Sequence, residues 1–301
     1  MSAIHDDIRE LAAERDAVIL AHNYQRAEIQ DVADFVGDSL GLSREAAATD
    51  ASVIVFAGVH FMAETAKILS PDKTVLMPEV RAGCPMADML TAEQLAAWRT
   101  DHPGAPVVTY VNSSAEVKAL SDICCTSANA VEVVRSLGAE TVLFGPDRNL
   151  AAWVAQQLPE TEVIAWDGWC PTHDEVTAEE VRDVMGEHPS AKVIAHPECQ
   201  PWVTALADEV LSTSQMIRYA AQTDVDELIV ITEEGLLHAL SKVAPGKRFY
   251  NLTPKMICPN MKATTIEKVR DSLAKMQTAI EVDPDIAHRA LTAVERMVAV
   301  G

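Results

Sequence analysis

The sequence predicts an α/β protein of three homologous α/β units whose parallel sheets are related by a pseudo-threefold axis, with the active site on that axis. Apolar runs typical of buried strands recur at intervals of 86 to 89 residues, helical patterns lie between them, and helix-capping signals repeat with them. Because the runs are continuous rather than alternating, they indicate sheets covered on both faces. The alternative, three independent βαβ domains with coincidental spacing, is disfavoured because several kinds of landmark share one period.

Nine short apolar runs predict the strands, three to a unit. The first strands of the units are 18–21, 107–110 and 193–195. The second strands are 53–56, 141–144 and 228–231, and the third strands are 75–77, 163–165 and 249–251. The spacing between them leaves room for a crossover helix, which a parallel connection requires.

Helical patterns fill the intervals, and each unit ends on a helix start with the spacing of a capping box. The helical patterns are 63–69, 150–158 and 236–243, and the capping boxes are Thr91 to Gln94, Thr177 to Glu180 and Thr264 to Glu267. We expect a first unit with an N-terminal helix over 1–103, a second unit over 104–189, and a third unit with a C-terminal helix over 190–301.

The charge of the chain limits its partners. Its 301 residues include 45 acidic and 24 basic side chains, for a formal net charge of −21. This balance argues against nucleic-acid and anionic-membrane partners, which are bound by clustered Lys and Arg. The first sixteen residues are too polar for a signal peptide, no apolar stretch approaches the ~20 residues that span a bilayer, and six cysteines are too few for a disulfide scaffold. We therefore expect a cytoplasmic protein that acts on small molecules.

Three of the six cysteines follow the repeat. Cys84, Cys170 and Cys258 are 86 and 88 residues apart, and each lies beside a proline in the loop after a third strand. Ligands of α/β proteins bind beyond the carboxyl ends of the strands, so three thiolates can meet there. Such a trio suits a metal ion or an iron–sulfur cluster with one open position. The remaining cysteines lack repeat partners and fit core or cavity-wall positions: Cys124, Cys125 and Cys199.

Polar residues at the strand ends repeat as well. The first strands end in His22-Asn23-Tyr24, Tyr110-Val111-Asn112 and His196-Pro197-Glu198, and the following helices open with Ser39, Thr126-Ser127 and Ser212-Thr213-Ser214. A helix N-terminus with hydroxyl groups binds anions through its free amides and its dipole. The sequence therefore predicts a site for several anionic groups.

Groups that exchange protons are part of the same pattern. His22, His196 and His173, which is near Cys170, can donate hydrogen bonds at neutral pH. Glu198 is a candidate general acid or base, and the two tyrosines at the strand ends are further proton donors. Any one of these residues alone fits a structural role, but their shared repeat positions favour a catalytic site.

These residues lie in segments by which the sequence resembles the quinolinate synthase (NadA) family, over nearly the whole chain. The matching segments are 21–25 (AHNYQ), 62–67 (MAETAK), 83–87 (GCPMA), 110–113 (YVNS), 126–130 (TSANA), 144–150 (FGPDRNL), 196–199 (HPEC) and 212–214 (STS). Two features depart from some members of that family. The sequence has no C-x-x-C-x-x-C at Cys258, and Gln215 takes the place of a glycine.

The resemblance implies a [4Fe–4S] cluster held by Cys84, Cys170 and Cys258, with the fourth iron open to act as a Lewis acid. It implies a transferase of de novo NAD biosynthesis, which condenses iminoaspartate with dihydroxyacetone phosphate to give quinolinate, phosphate and water. The substrates carry two carboxylates and one phosphate, which matches the three anion-binding helix starts. An L-aspartate oxidase or dehydrogenase would supply the iminoaspartate.

The resemblance also implies roles for individual residues. Proton transfer would fall to four of them: Tyr24, Tyr110, His196 and Glu198. Carboxylate or phosphate groups would be held by His22, Ser39, Asn112, Ser127, Ser212 and Thr213, and His173 would contact the substrate or the surroundings of the cluster. Reactive imine intermediates must be kept from water, so we expect a closed cavity with one unit able to move as a lid.

Three other functions remain open on the sequence alone. Another hydro-lyase with an open-iron cluster would use the same cysteines on a different hydroxy acid. A non-enzymatic iron–sulfur sensor would respond to loss of the cluster, and a binding protein without metal would be colourless. The repeated His, Tyr and Glu residues at the strand ends argue against the sensor.

Overall fold

The computed structural model describes residues 3–300, and its first unit is a four-stranded parallel sheet with helices on both faces. The strands are β1 Ala17–His22, β2 Phe35–Gly37, β3 Val53–Ala57 and β4 Thr74–Leu76. The helices are α1 Ala3–Glu14, α2 Ala27–Val32, α3 Ser39–Ala48, α4 His60–Leu69 and α5 Ala92–Asp101, with a 3-10 turn at Ala87–Met89.

The second and third units repeat this order of elements. The second contains β5 Val107–Tyr110, α6 Ala115–Lys118, β6 Ile123–Cys125, α7 Ala130–Leu137, β7 Thr141–Gly145, α8 Arg148–Gln157, β8 Glu162–Ala165, α9 Pro171–Asp174 and α10 Ala178–Glu187. The third contains β9 Lys192–Ala195, α11 Pro201–Thr204, β10 Glu209–Val210, α12 Thr213–Gln222, β11 Glu227–Ile231, α13 Leu236–Val243, β12 Arg248–Tyr250, α14 Ile266–Lys275 and α15 Pro284–Ala299.

The three sheets share one strand order and one register, so the predicted fold of three homologous α/β units with parallel sheets is confirmed. The orders are β2-β1-β3-β4, β6-β5-β7-β8 and β10-β9-β11-β12. Equivalent residues pair across the central strands: Leu20 with Phe56, Val108 with Phe144, and Ile194 with Val230. The pseudo-threefold axis and the exact unit boundaries stay predictions. No helix within residues 3–300 is long and apolar enough to cross a membrane.

Sequence analysis missed one short strand in each sheet, namely β2, β6 and β10. With two or three residues each, they are too short for a periodicity signal. A repeated aspartate marks them, because the residue just before each strand accepts a hydrogen bond from a first-strand amide. The bonds run to Asp34 from Ile19 (2.8 Å), to Asp122 from Val107 (2.7 Å), and to Asp208 from Val193 (2.8 Å).

The capping boxes at Thr91 and Thr177 are confirmed, whereas the one at Thr264 is wrong. The N-cap of α14 is Thr265, whose hydroxyl accepts a hydrogen bond from the Lys268 amide. The hydroxyl of Thr264 is buried and unpartnered. The N-cap is the residue with extended dihedral angles immediately before the first helical residue. Where two threonines are adjacent, the sequence does not show which of them has that conformation.

In each unit the helix that follows the cysteine loop and begins at a threonine N-cap packs on the sheet of another unit. α5 covers the second sheet, α10 covers the third, and α14 covers the first together with α1. The shared clusters contain Leu95 with Val107 and Leu143, Val181 with Val193 and Ile229, and Leu273 with Ile19 and Val55. Burying each such side chain stabilises the fold by about 1.5–3 kcal/mol. The three units are therefore joined in a closed cycle.

A nearly buried carboxylate helps to fasten α14 to the first unit. Glu79, in the loop after β4, bonds to Arg81 (3.1 Å) and to Lys268 of α14 (2.6 Å). These hydrogen bonds lower the pKa of Glu79 from 4.5 to about 2. The stabilisation is therefore present at neutral pH and is lost as the pH falls through 4.5 toward 2.

We expect Glu79→Gln to lower the free energy of unfolding by about 1 kcal/mol at pH 7, because both cations are at least partly exposed. The difference from the wild type should shrink steadily below pH 4.5. Urea unfolding followed by circular dichroism at several pH values measures it, with Glu160→Gln on an exposed turn as the control. An equal loss at every pH would contradict the ion-pair explanation.

Candidate active site

The loops at the carboxyl ends of all three sheets enclose one cavity of about 150 Å³. Its wall contains thirteen of the fourteen predicted site residues: His22, Tyr24, Ser39, Cys84, Tyr110, Asn112, Ser127, Cys170, His173, His196, Glu198, Thr213 and Cys258. The exception is Ser212, which is fully buried. It is the N-cap of α12, and its hydroxyl accepts a hydrogen bond from the Gln215 backbone amide. Gln215 completes a capping box there, so the helix start is regular without a glycine.

The cysteines divide as their spacing indicates. Cys84, Cys170 and Cys258 line the cavity as free, partly exposed thiols, although they come from three different units. Cys124 and Cys125 lie in β6 and are fully buried in the core, as expected. Cys199 is buried beside β11, with Sγ 3.7 Å from the Ile231 carbonyl, and is not part of the cavity wall.

The surroundings of the cavity thiols suit sulfur ligands of a cluster. Burial raises the pKa of Cys84 to about 12. The backbone amides of Ala87 and Met86, which stabilise the thiolate, lower the pKa and so offset part of this rise. Burial also raises the pKa of Cys258, and the amides of Met261 and Asn260 oppose it in the same way. A buried thiol gains from metal coordination, which removes its proton, and amide donors to sulfur are typical of iron–sulfur sites. These residues therefore fit such a group.

Glu198 is the centre of the polar network in the cavity. The Tyr110 hydroxyl donates to its Oε1 at 2.5 Å, and His173 Nδ1 lies 2.8 Å from its Oε2. Burial favours a raised pKa for Glu198, but the imidazoles of His173 and His196 and the Tyr110 hydroxyl outweigh it and lower the pKa. The result is a buried carboxylate that stays ionised and is oriented by its neighbours.

Cys170, His173 and Glu198 form a compact group. Their ligand atoms all lie within 4.8 Å of one another, and this combination of sulfur, nitrogen and oxygen donors could hold a metal ion. His173 Nδ1 lies 3.2 Å from Cys170 Sγ, while its Nε2 lies 2.9 Å from the Thr232 hydroxyl. Thr232 also bonds to the Tyr24 hydroxyl at 2.6 Å. A hydrogen-bonded path therefore runs from Tyr24 to Glu198.

Burial sets the protonation of the other polar groups. It lowers the pKa of His22 and of His196 to about 3, so both imidazoles are neutral at pH 7. It raises the pKa of Tyr24 and of Tyr110 well above the usual value, with the charge of Glu198 adding to the effect. Both tyrosines therefore keep their protons and serve as donors.

Two helix N-termini, Ser127 and Asn112 complete the polar wall. Ser39 and Thr213 are the first residues of α3 and α12, and the Thr213 hydroxyl accepts a hydrogen bond from Asn23 at 2.9 Å. Ser127 precedes α7 and lies 3.2 Å from His196 Nε2. The Oδ1 of Asn112 is buried without a hydrogen-bond partner. An orphaned acceptor in a cavity wall is expected where a ligand supplies the donor.

Sequence analysis missed several polar residues at or beside the cavity: Asp38, Thr172, Thr232, Glu233 and Lys262. Asp38 caps α3 through the Gly41 amide, immediately before the serine that was singled out. Thr232 and Glu233 follow β11 in the third unit. The 86-residue spacing of the repeat makes them the equivalents of Pro146 and Asp147 in the second unit. That alignment was the one available signal, since Tyr24 and Cys258, which bond to them, are more than twenty residues away in sequence.

Comparison with known proteins agrees with this site. A family model described as quinolinate synthetase A protein matches residues 6–299. A quinolinate synthase of Dehalococcoides mccartyi is 57% identical over 297 residues, covering 99% of this chain and 98% of that protein. Those of Methanosarcina barkeri and Thermodesulfovibrio yellowstonii are 55% and 53% identical, each covering 97% of this chain and 96% of the relative. Matches of this length and identity establish that the chain belongs to the quinolinate synthase family.

Proposed function

We propose that this protein is an iron–sulfur quinolinate synthase, which condenses iminoaspartate with dihydroxyacetone phosphate to give quinolinate, phosphate and water. The observation that carries the proposal is the convergence of three free cysteines from three units on one cavity with a buried Glu198. Family membership supports the reaction, and the cavity supplies the residue types that it needs.

Cys84, Cys170 and Cys258 would hold a [4Fe–4S] cluster. Three protein ligands leave one iron free, and when bound the cluster supplies a Lewis acid for a substrate oxygen. The amide donors around Cys84 and Cys258 support this ligand set. His173 beside Cys170 would orient the site from the surroundings of the cluster.

Proton transfer would be carried out around Glu198. Its carboxylate is oriented by Tyr110 and His173, and it would become a stronger base and remove a proton from carbon or nitrogen when a substrate displaces those hydrogen bonds, which lower its pKa. Tyr24 and Tyr110, which keep their protons, can donate to a departing hydroxyl. His196, neutral and 3.7 Å from Glu198, can relay a proton between them and the substrate.

The substrates together carry two carboxylates and a phosphate, whereas the chain is strongly acidic. Their binding therefore requires local donors rather than an attractive overall field. Ser39, Ser127, Thr213 and His22 supply such donors in the wall, and Ser212 would contribute through the helix start that it caps. Iminoaspartate hydrolyses in water, so an L-aspartate oxidase or dehydrogenase would be its supplier.

The decisive test is an anaerobic assay of the reconstituted protein. Quinolinate should form when both substrates are present and should be absent when either one is omitted. A brown protein that makes no quinolinate would overturn the proposal. If it instead dehydrates a hydroxy acid, it is a different open-iron hydro-lyase; if it turns over neither, a sensor becomes the better assignment.

Asn112 provides a test of substrate binding. We expect Asn112→Ala to raise KM at least about tenfold, since a lost hydrogen bond to a charged or polar ligand costs about 1.5 kcal/mol or more. Asn112→Asp should be worse, because it adds a negative charge opposite anionic substrates. Steady-state kinetics measures both variants, and the visible absorbance of the cluster checks that the site is intact. An unchanged KM in both would contradict a substrate role for Asn112.

A further inference from the structure

One backbone hydrogen bond recurs beside each of the three cavity cysteines. In each unit, a residue at or just before the start of the helix that follows the second long strand donates its backbone amide to the carbonyl two residues before the cysteine. The bonds are His60 to Ala82 (2.9 Å), Arg148 to Gly168 (2.8 Å) and Glu234 to Met256 (2.8 Å). Each of the three cysteine loops is therefore fastened within its own unit at the same point of the repeat.

The third unit adds a charged side chain at this point. Glu233 is fully buried, and its Oε1 accepts the amide of Cys258 itself at 3.1 Å. Its Oε2 accepts the Gly235 amide at 2.7 Å. The equivalent residues differ: Val59 has no polar side chain, and the Asp147 carboxylate caps α8 through the Leu150 amide. A carboxylate thus faces the amide of a cavity cysteine in both the second and the third unit, and in the third unit this carboxylate is also paired with a lysine.

Lys262 balances the charge of Glu233. Its ammonium lies 2.9 Å from Oε1 and 3.0 Å from Oε2 of the carboxylate. The same ammonium donates to the Tyr24 carbonyl of the first unit at 2.8 Å. With both amides and Lys262 bonded to it, Glu233 has its oxygens engaged and is not free to act on a substrate.

The loop that carries Cys258 is also fastened to the first unit. Gln25 Nε2 donates to the Met261 carbonyl at 2.9 Å, and the Arg26 guanidinium donates to the Lys262 carbonyl at 2.8 Å. This junction lies between the cavity and the surface, and it contains Tyr24, whose side chain lines the cavity. A displaced Cys258 loop would therefore disturb both a thiol and the first-unit wall.

We propose that Glu233 is a positioning residue that fixes Cys258 for cluster binding, with Lys262 as its counter-ion. The proposal rests on the proposed function, in which Cys258 is a cluster ligand. Glu233 acts through the cysteine backbone rather than on the reacting atoms. Residues that orient metal ligands in this way change metal affinity by about 10–100-fold when they are replaced.

The test compares cluster lifetimes in reconstituted holoproteins. Iron and acid-labile sulfide per chain are measured first, followed by the half-life of the visible absorbance with an iron chelator under argon. We expect Glu233→Gln to shorten that half-life at least tenfold, because an amide cannot accept from both backbone groups while holding Lys262. The matched control is Glu234→Gln: this neighbouring carboxylate is 35% exposed and lies 3.8 Å from Lys262, but the Cys258 amide bonds to Glu233 instead, so the variant should keep the wild-type half-life.

Two further variants separate positioning from general stability. Lys262→Met leaves both carboxylate–amide contacts in place, so its cluster should outlast that of Glu233→Gln even if its unfolding free energy falls as far. Glu233→Asp keeps the charge but shortens the reach by one methylene, and its half-life should be intermediate. It also serves as the test variant if Glu233→Gln fails to fold.

Two results would overturn the inference. One is a wild-type half-life in Glu233→Gln or Glu233→Asp. The other is a cluster lifetime that follows unfolding free energy equally in the Glu233 and Lys262 variants. Failure of the wild-type protein to bind iron and sulfide would instead reject the proposed function, and this inference with it. The wild-type measurement therefore distinguishes the two failures.

Discussion

Replacing Cys84, Cys170 or Cys258 with alanine is expected to abolish cluster binding and to reduce quinolinate formation at least about a thousandfold. Each thiol lines the same cavity and comes from a different unit, so none can substitute for another. A Lewis-acidic metal is worth several kcal/mol of transition-state stabilisation, which corresponds to this loss in rate. Iron analysis, visible absorbance and the anaerobic assay measure the effect.

Cys124→Ala is the matched control for this series. Cys124 is fully buried in β6 and does not line the cavity, so its loss should affect stability alone. That variant should keep its iron and its activity per folded molecule. The ligand assignment would be wrong if any one of the three alanine variants retained both a full complement of iron and wild-type turnover.

Glu198→Gln is expected to lower kcat by about a hundred- to ten-thousandfold while the cluster spectrum stays unchanged. A glutamine has the same shape but cannot accept a proton, and general base catalysis contributes that range. Tyr110→Phe, which removes the 2.5 Å hydrogen bond to Glu198, should cause a smaller loss. Steady-state kinetics with both substrates measures each variant.

Tyr219→Phe provides the control for the tyrosine change. Tyr219 belongs to α12 and lies outside the cavity wall, so its variant should match the wild type. If Glu198→Gln retained most of its kcat, Glu198 would be a structural carboxylate. Loss of iron in that variant would mean that Glu198 acts through the cluster site instead.

The periodic features of the fold could be predicted from the sequence, because each is repeated three times. Strands such as β3, with Val53, Ile54 and Val55 in succession, carry a strong local signal. The two-residue β10 has no such signal and is formed by pairing with β9. The exchange of α5, α10 and α14 between units could not be predicted either, because periodicity does not reveal which sheet a helix covers.

The site was predictable to a similar extent. Strand ends and cysteine loops identified most of the cavity wall, since parallel strands bring their carboxyl ends to one edge. Glu233 and Lys262 escaped notice because a buried ion pair looks like two ordinary surface charges in a sequence. The link from Tyr24 to Thr232 spans 208 residues, and only the folded chain brings the two hydroxyls together.

The closed cycle of helices has a consequence for how such a molecule can arise and be divided. A lone copy of the repeat would expose the face that another copy's helix covers, while its own helix would lack a sheet. In this polypeptide three copies, joined end to end, cover one another's sheets in a cycle. A residue kept in all three copies, such as the cavity cysteine, then reaches a central ligand three times over, whereas Tyr24, Asn112 and Glu198, which share one repeat position, present it with three different groups.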